Sequence, residues 1–226
     1  MNRAEEVPFI DDEVSIHTDG VILEGTLTLP PGAHGLVIFA HGSGSSRHSS
    51  RNIFVAEELN GVGIGTLLID LLTEAEEHVD NRTSELRFDI DLLSRRVTGA
   101  VDWALADSRV AKLPIGLFGA STGAAAALQS AANRPEDIHA IVSRGGRPDL
   151  AQQTLGAVRA PALLIVGSND ETVIQFNQEA FEQLYGCEKE LVVICGATHL
   201  FDEPGSLEEA AGFASRWFLN YLPARS

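Results

Sequence analysis

The stretch Pro114-Ile115-Gly116-Leu117-Phe118-Gly119-Ala120-Ser121-Thr122-Gly123 decides how the rest of this chain is read. A short apolar run ends in Gly-x-Ser-x-Gly and continues into Ala124-Ala125-Ala126-Ala127. This pattern predicts a buried strand that turns sharply into a helix, with Ser121 at the turn. Such a turn strains the backbone of the serine. Glycines two residues before and two after are required, because a Cβ there would collide with the neighbouring strand or helix. The five-residue string alone is common. With a strand before it and a helix after it, the string reads as a nucleophile elbow.

Working outward, apolar strand-like runs alternate with helical patterns over the whole chain. Val14–His17 and Val21–Leu29 alternate apolar and polar residues, and Asp19-Gly20 between them predicts a hairpin turn. The later runs Leu36–Ala40, Ile64–Ile69, Ile115–Phe118, Ile138–Val142, Ala162–Val166 and Leu191–Ile194 are continuously apolar. Strands of that kind are buried on both faces, which implies a parallel sheet covered by helices. Leu86, Ile90, Leu93, Val97, Val101 and Ala104 recur every three or four residues and predict one long amphipathic helix. Thr172 with Gln175, and Ser206 with Glu209, read as capping boxes opening two later helices. Phe213, Trp217 and Tyr221 form a core-facing stripe on the last helix. No linker, repeat or low-complexity tract divides residues 1–226, so one domain is expected. A leading hairpin followed by six parallel strands is the α/β-hydrolase arrangement, in which functional groups collect at the carboxyl ends of the strands.

Serine is a weak nucleophile without a base, and the base needs an acid to orient it. In this arrangement the chain order is serine, then carboxylate, then histidine. Asp170 follows the next-to-last strand in Val166-Gly167-Ser168-Asn169-Asp170-Glu171, and His199 follows the last in Cys195-Gly196-Ala197-Thr198-His199. Glu171 is the adjacent competitor for the acid. His17, His34, His78 and His139 fall at a hairpin, before a strand, in an acidic loop and near a strand start, so only His199 has the position of the base. Two N–H donors are needed for a developing oxyanion. The amide of Thr122 supplies one. The loop Ala40-His41-Gly42-Ser43-Gly44-Ser45-Ser46-Arg47-His48 resembles the lipase and esterase oxyanion loop and supplies the other through the Ser43 amide. His41 is expected to hold that loop, and His41 with His48 lacks further ligands at metal-binding spacing. No Gly-Lys-Ser/Thr accompanies the loop, which argues against a phosphate cradle.

These motifs together resemble the dienelactone-hydrolase-like group of α/β-hydrolases, from Val14 to Tyr221. The resemblance implies hydrolysis of carboxylic esters or lactones through an acyl-enzyme, without metal or organic cofactor. Dienelactone hydrolases proper carry cysteine at the elbow, whereas this chain carries Ser121, which favours a general serine esterase. A thioesterase, a lactonase, a small-amide hydrolase and a non-catalytic binding protein on the same fold are the alternatives. Ser143-Arg144-Gly145-Gly146-Arg147-Pro148 lies where larger hydrolases insert a lid. A helix expected from about Asp149 leaves no room for one. Arg144 or Arg147 could bind a substrate carboxylate through the guanidinium fork, a loop salt bridge being the plainer role. Asp70 at a strand end is expected to support the site from behind.

Composition narrows the partners. There are 32 acidic against 16 basic side chains in 226 residues, a net charge of −16. That surface repels phosphate backbones, so nucleic acid is excluded as a partner and a small-molecule ester is expected. Glu5, Glu6, Asp11, Asp12, Glu74, Glu76 and Glu77 read as a solvated face. Two cysteines, Cys187 and Cys195, point to no disulfide framework and a reducing, cytoplasmic setting. Met1–Glu6 lacks the apolar core of a signal peptide, and no run approaches the roughly 20 apolar residues that span a bilayer. A monomer or homodimer is expected.

Overall fold

The hairpin forms where Asp19-Gly20 predicts it. Both turn residues have positive φ, 51° and 77°, which suits a two-residue turn between twisted strands. It joins β1 (Ile10–Thr18) to β2 (Val21–Leu29) in antiparallel register. The structure, a computed structural model, describes residues 9–222. Glu5 and Glu6, and the Met1–Glu6 segment read for a leader, lie outside the described residues.

Beyond the hairpin, β3 (Leu36–Ala40), β4 (Gly65–Ile69), β5 (Ile115–Ala120), β6 (Ile138–Arg144), β7 (Ala162–Gly167) and β8 (Lys189–Ile194) run parallel to one another. The sheet has eight strands in the order β1-β2-β4-β3-β5-β6-β7-β8, with β2 antiparallel to β4. Every residue of β3, β4, β5 and β7 is buried, as their unbroken apolar sequences require. β8 departs from the expectation. It is the edge strand, and Val193 is exposed.

Among the described residues six helices, α1 (Ser50–Gly61), α2 (Glu74–Thr83), α3 (Ile90–Ala106), α4 (Thr122–Asn133), α5 (Glu171–Gln183) and α6 (Ser206–Tyr221), flank the sheet. Val97, Val101, Leu128 and Ala180 bring α3, α4 and α5 onto one face. Val55, Leu59, Trp217 and Phe218 bring α1 and α6 onto the other. Burial on both sides is the main stabilising term of such a layered core.

Several helix ends differ from the sequence expectation for identifiable reasons. Leu86 sits in a separate 3-10 turn, Leu86–Phe88, because Asp89 caps α3 through the Leu92 amide. α5 begins at Glu171 with Asp170 at its N-cap, two residues earlier than a Thr172 cap implies, so Thr172 caps nothing. Gly205, in left-handed conformation, occupies the cap of α6, and Ser206 is a buried first residue of the helix. The expected helix near Asp149 is two 3-10 turns, Pro148–Ala151 and Leu155–Ala157, and no cap domain rises between β6 and β7. Conversely, the acidic segment read as a solvated loop is α2, opened by a capping box between Thr73 and Glu76. Glu74 is exposed there, whereas Glu76 binds the buried Arg96 at 2.8 Å and Glu77 is half-buried.

Candidate active site

Ser121 sits between β5 and α4 with φ 51° and ψ −122°, a conformation costly for a residue bearing a Cβ. The flanking glycines make the turn possible. A Cβ on Gly119 would lie 2.3 Å from Cα of Ala124, and one on Gly123 would lie 2.3 Å from the carbonyl oxygen of Ala40. Close contact of α4 with β5 and β3 therefore fixes both positions as glycine. The Ser121 amide donates to the carbonyl of Arg144 at 3.3 Å, and its own carbonyl accepts from the Arg147 amide at 3.0 Å. The elbow is thus tied to the end of β6.

Asp170 occupies the N-cap of α5 but makes no capping bond. Its carboxylate instead meets His199, with Oδ2 2.6 Å from Nδ1. An ionised carboxylate only accepts, so Nδ1 carries the proton and Nε2 is left bare. Glu171, one residue on, is exposed in the first turn of α5 and has no such contact. The loop carrying His199 is held by Glu203, which accepts from the Thr198 amide at 3.0 Å and hydroxyl at 2.6 Å. Those bonds hold the Glu203 carboxyl below its ordinary value. Ser121 and His199 line one cavity of about 190 Å3 with Gly42, Ser43, Asn52 and Arg144.

The amides of Ser43 and Thr122 have no hydrogen-bond partner among the described residues. Both flank Ser121, and their hydroxyls are joined at 3.0 Å. Thr122 opens α4, so the positive end of the helix dipole adds to its amide. His41 orients the other amide. Its Nε2 accepts from the Leu71 amide at 3.1 Å, which forces the proton onto Nδ1, and Nδ1 donates to the Gly42 carbonyl at 2.9 Å. In a planar trans peptide, a Gly42 carbonyl fixed on one side turns the Ser43 N–H to the other. Burial lowers the His41 pKa despite the Gly42 carbonyl and Asp70, and so keeps the imidazole in the neutral form this bond pattern needs. Asp70 accepts from the amide and guanidinium of Arg47 and tethers the far end of the same loop to β4.

The two arginines separate cleanly. Arg147 donates to both oxygens of Asp149 at 2.9 and 2.7 Å and lies 4.6 Å over the Phe176 ring. It does not line the cavity at Ser121, and its Asp149 pair is the loop salt bridge weighed as the plainer role. Arg144 is 6% exposed and lines that cavity. Nη2 donates to Asn52 Oδ1 at 3.3 Å, while Nη1 is buried without a partner. Burial foremost, and then the Arg51 cation, pull its pKa down to about 10 against Asp202, so it stays charged at neutral pH. Asn52 and Asn177 were not singled out by the sequence. Asn177 is buried and donates to the Gly146 carbonyl at 2.9 Å, steadying the segment after Arg144. Polar residues inside otherwise apolar helical faces were their only signal.

The dienelactone hydrolase family matches residues 24–221. A crystal structure of a dienelactone hydrolase from Anabaena variabilis is 54% identical, covers 95% of this chain and 99% of its own, and superimposes with a TM-score of 0.92. A serine hydrolase without lid from Xanthomonas campestris shares the fold at 21% identity and TM-score 0.76, over 98% of this chain and 99% of its own. Two Mycobacterium tuberculosis proteins named "Putative phosphoribosyl transferase" are 50% identical over 98% of this chain. The chain spans about half, 49%, of the length of those curated relatives. Family match, high identity and fold agree, and the chain belongs to the dienelactone hydrolase family.

Proposed function

We propose that this chain hydrolyses carboxylic esters through an acyl-enzyme on Ser121. The observation that carries the reading is the Asp170–His199 hydrogen bond at the rim of the cavity that contains the strained Ser121. Ser121 attacks the ester carbonyl while His199 Nε2 takes its proton and passes it to the leaving alcohol oxygen. Asp170 stabilises the imidazolium. The Ser43 and Thr122 amides receive the oxyanion. Water activated by His199 then attacks the acyl carbonyl and releases Ser121. Lactones and thioesters present the same carbonyl to the same groups. A fluorophosphonate is expected to form one covalent adduct, located by peptide mass spectrometry on Ser121, with loss of p-nitrophenyl acetate turnover. An adduct on another residue, or turnover that survives full labelling, overturns the reading.

The substrate also bears an anion in this reading, held by Arg144. A charged guanidinium with a buried, unpartnered Nη1 beside Ser121 is costly unless a ligand completes it. Arg144→Gln is expected to lower kcat/KM for a carboxylate-bearing ester roughly 10- to 100-fold, the scale of a charged hydrogen bond, relative to its neutral analogue. Equal losses on both esters would make Arg144 a structural residue. The mycobacterial name belongs to proteins of which half lies outside the match, and nothing in the serine-centred site supports transferring it here.

A further inference from the structure

The cavity that contains Ser121 has a larger neighbour. A second cavity of about 400 Å3 lies across the oxyanion loop. It shares Gly42, Ser43, Ser45 and Ser49 with the first, so the two cavities lie on either side of that loop. Its wall runs from Thr122, next to Ser121, out to α2 and the turn after it. His199 does not line it.

Small-molecule pockets are mostly apolar with a few polar groups. Here the rim carries Ser45, Ser46, Ser49, Glu77, Asn81 and Arg87, above a floor of Leu71, Leu72 and Leu93. The rim groups retain unused hydrogen-bonding capacity. The Ser46 and Ser49 oxygens accept from the His48 and Asn52 amides, leaving their hydroxyl protons to donate. Arg87 spends Nε on Asp80 and Nη2 on Asp80 and Asn81, while Nη1 has no partner among the described residues. Gly44 turns the loop with φ 66° beside Nη1, where a Cβ would make ordinary contact at 3.5 Å.

Charge argues against an anion in this half. Asp80 is buried. Burial alone would raise its carboxyl, but the Arg87 amide and guanidinium more than offset that and hold it low. Asp80 therefore neutralises Arg87. Glu77 adds further negative character, and burial together with Asp70, Glu74 and Asp80, opposed by His78, raises its pKa. Many neutral donors and acceptors around an apolar floor suit a group with hydroxyls at its edge and C–H bonds on its face.

We infer that this cavity receives the acyl portion of the ester and that the acyl group it selects is neutral and polyhydroxylated, as in a sugar-acid or hydroxy-acid ester. This rests on the acyl-enzyme reading above. His199 must reach the leaving oxygen, so the alcohol lies on its side, and the cavity that lacks His199 faces the group retained on Ser121. The Ser43–Thr122 hydroxyl pair stands at the boundary between the two.

The test compares phenyl propanoate with phenyl 2,3-dihydroxypropanoate, each rate divided by the ester's rate with hydroxide ion to remove intrinsic reactivity. The wild-type protein is expected to favour the dihydroxy ester at least tenfold in kcat/KM, mainly through KM. Asn81→Leu and Glu77→Met are expected to cut that preference fivefold or more. Wild-type preference near one, or for the plain ester, overturns the inference while leaving ester hydrolysis intact. A preference that survives both substitutions also overturns it, because the hydroxyls are then read elsewhere. Turnover of neither ester removes the acyl-enzyme reading itself and the inference with it.

Discussion

Ser121→Ala is expected to lower kcat on activated esters by roughly a millionfold, the scale seen when a nucleophile is deleted from a serine–histidine–carboxylate unit. The fold should be indifferent to the change. Alanine keeps the Cβ already accommodated at φ 51°, 3.0 Å from where a Gly42 Cβ would stand, and removes a single oxygen. Thermal midpoints within about 2 °C of each other are therefore expected. What remains after the substitution is what the Ser43 and Thr122 amides and substrate positioning provide without a covalent step. Retained turnover in a protein that melts like wild type would place the nucleophile elsewhere. Adding His199→Ala to Ser121→Ala should cost almost nothing more, because residues that act as a unit are not additive.

Most of the scaffold behind that result was legible because it is written in short-range patterns. Most of the unbroken apolar runs are fully buried strands, and Gly119 and Gly123 stand where a Cβ would lie 2.3 Å from a neighbouring backbone atom. The order Ser121, Asp170, His199 follows from strand succession alone. The failures have a common physical cause. α2 buries only Asp80 among its residues, so it offers no apolar period to read, even though Thr73 and Glu76 spell its start. Side-chain competition misled the cap assignments: Asp170 holds the cap position of α5 while its carboxylate serves His199. Arg144 and Arg147 look alike in sequence. Asp149, two residues on, claims Arg147 locally; the rest of what separates them is tertiary, with Phe176 under Arg147 and Asn52, 92 positions away, reaching Arg144. The large cavity beyond the oxyanion loop was invisible for the same reason, since it is assembled from the loop after β3, the end of β4 and the unread α2.

Asp170→Asn paired with Glu171→Gln decides which of two adjacent carboxylates orients the base, and the expected effects differ by orders of magnitude. In the native arrangement Asp170 accepts from Nδ1–H, and Nε2 is free to take a proton from Ser121. Asparagine is nearly isosteric but can donate through its amide, which favours the opposite tautomer with hydrogen on Nε2. That imidazole cannot accept the serine proton, and no negative charge remains to stabilise an imidazolium. A loss in kcat of about ten-thousandfold is expected for Asp170→Asn, with KM little changed. Glu171 is exposed in the first turn of α5, where its charge favours the helix dipole. Glu171→Gln should therefore leave kcat within a few-fold of wild type and cost only about 0.3–1 kcal/mol of stability. The reverse outcome, an inactive Glu171→Gln beside an active Asp170→Asn, would move the orienting role by one residue. It would also require α5 to begin a turn differently, because Glu171 at its present helical position has no contact with His199, whereas the non-helical backbone of Asp170, φ −117° and ψ 63°, presents its carboxylate to Nδ1 at 2.6 Å.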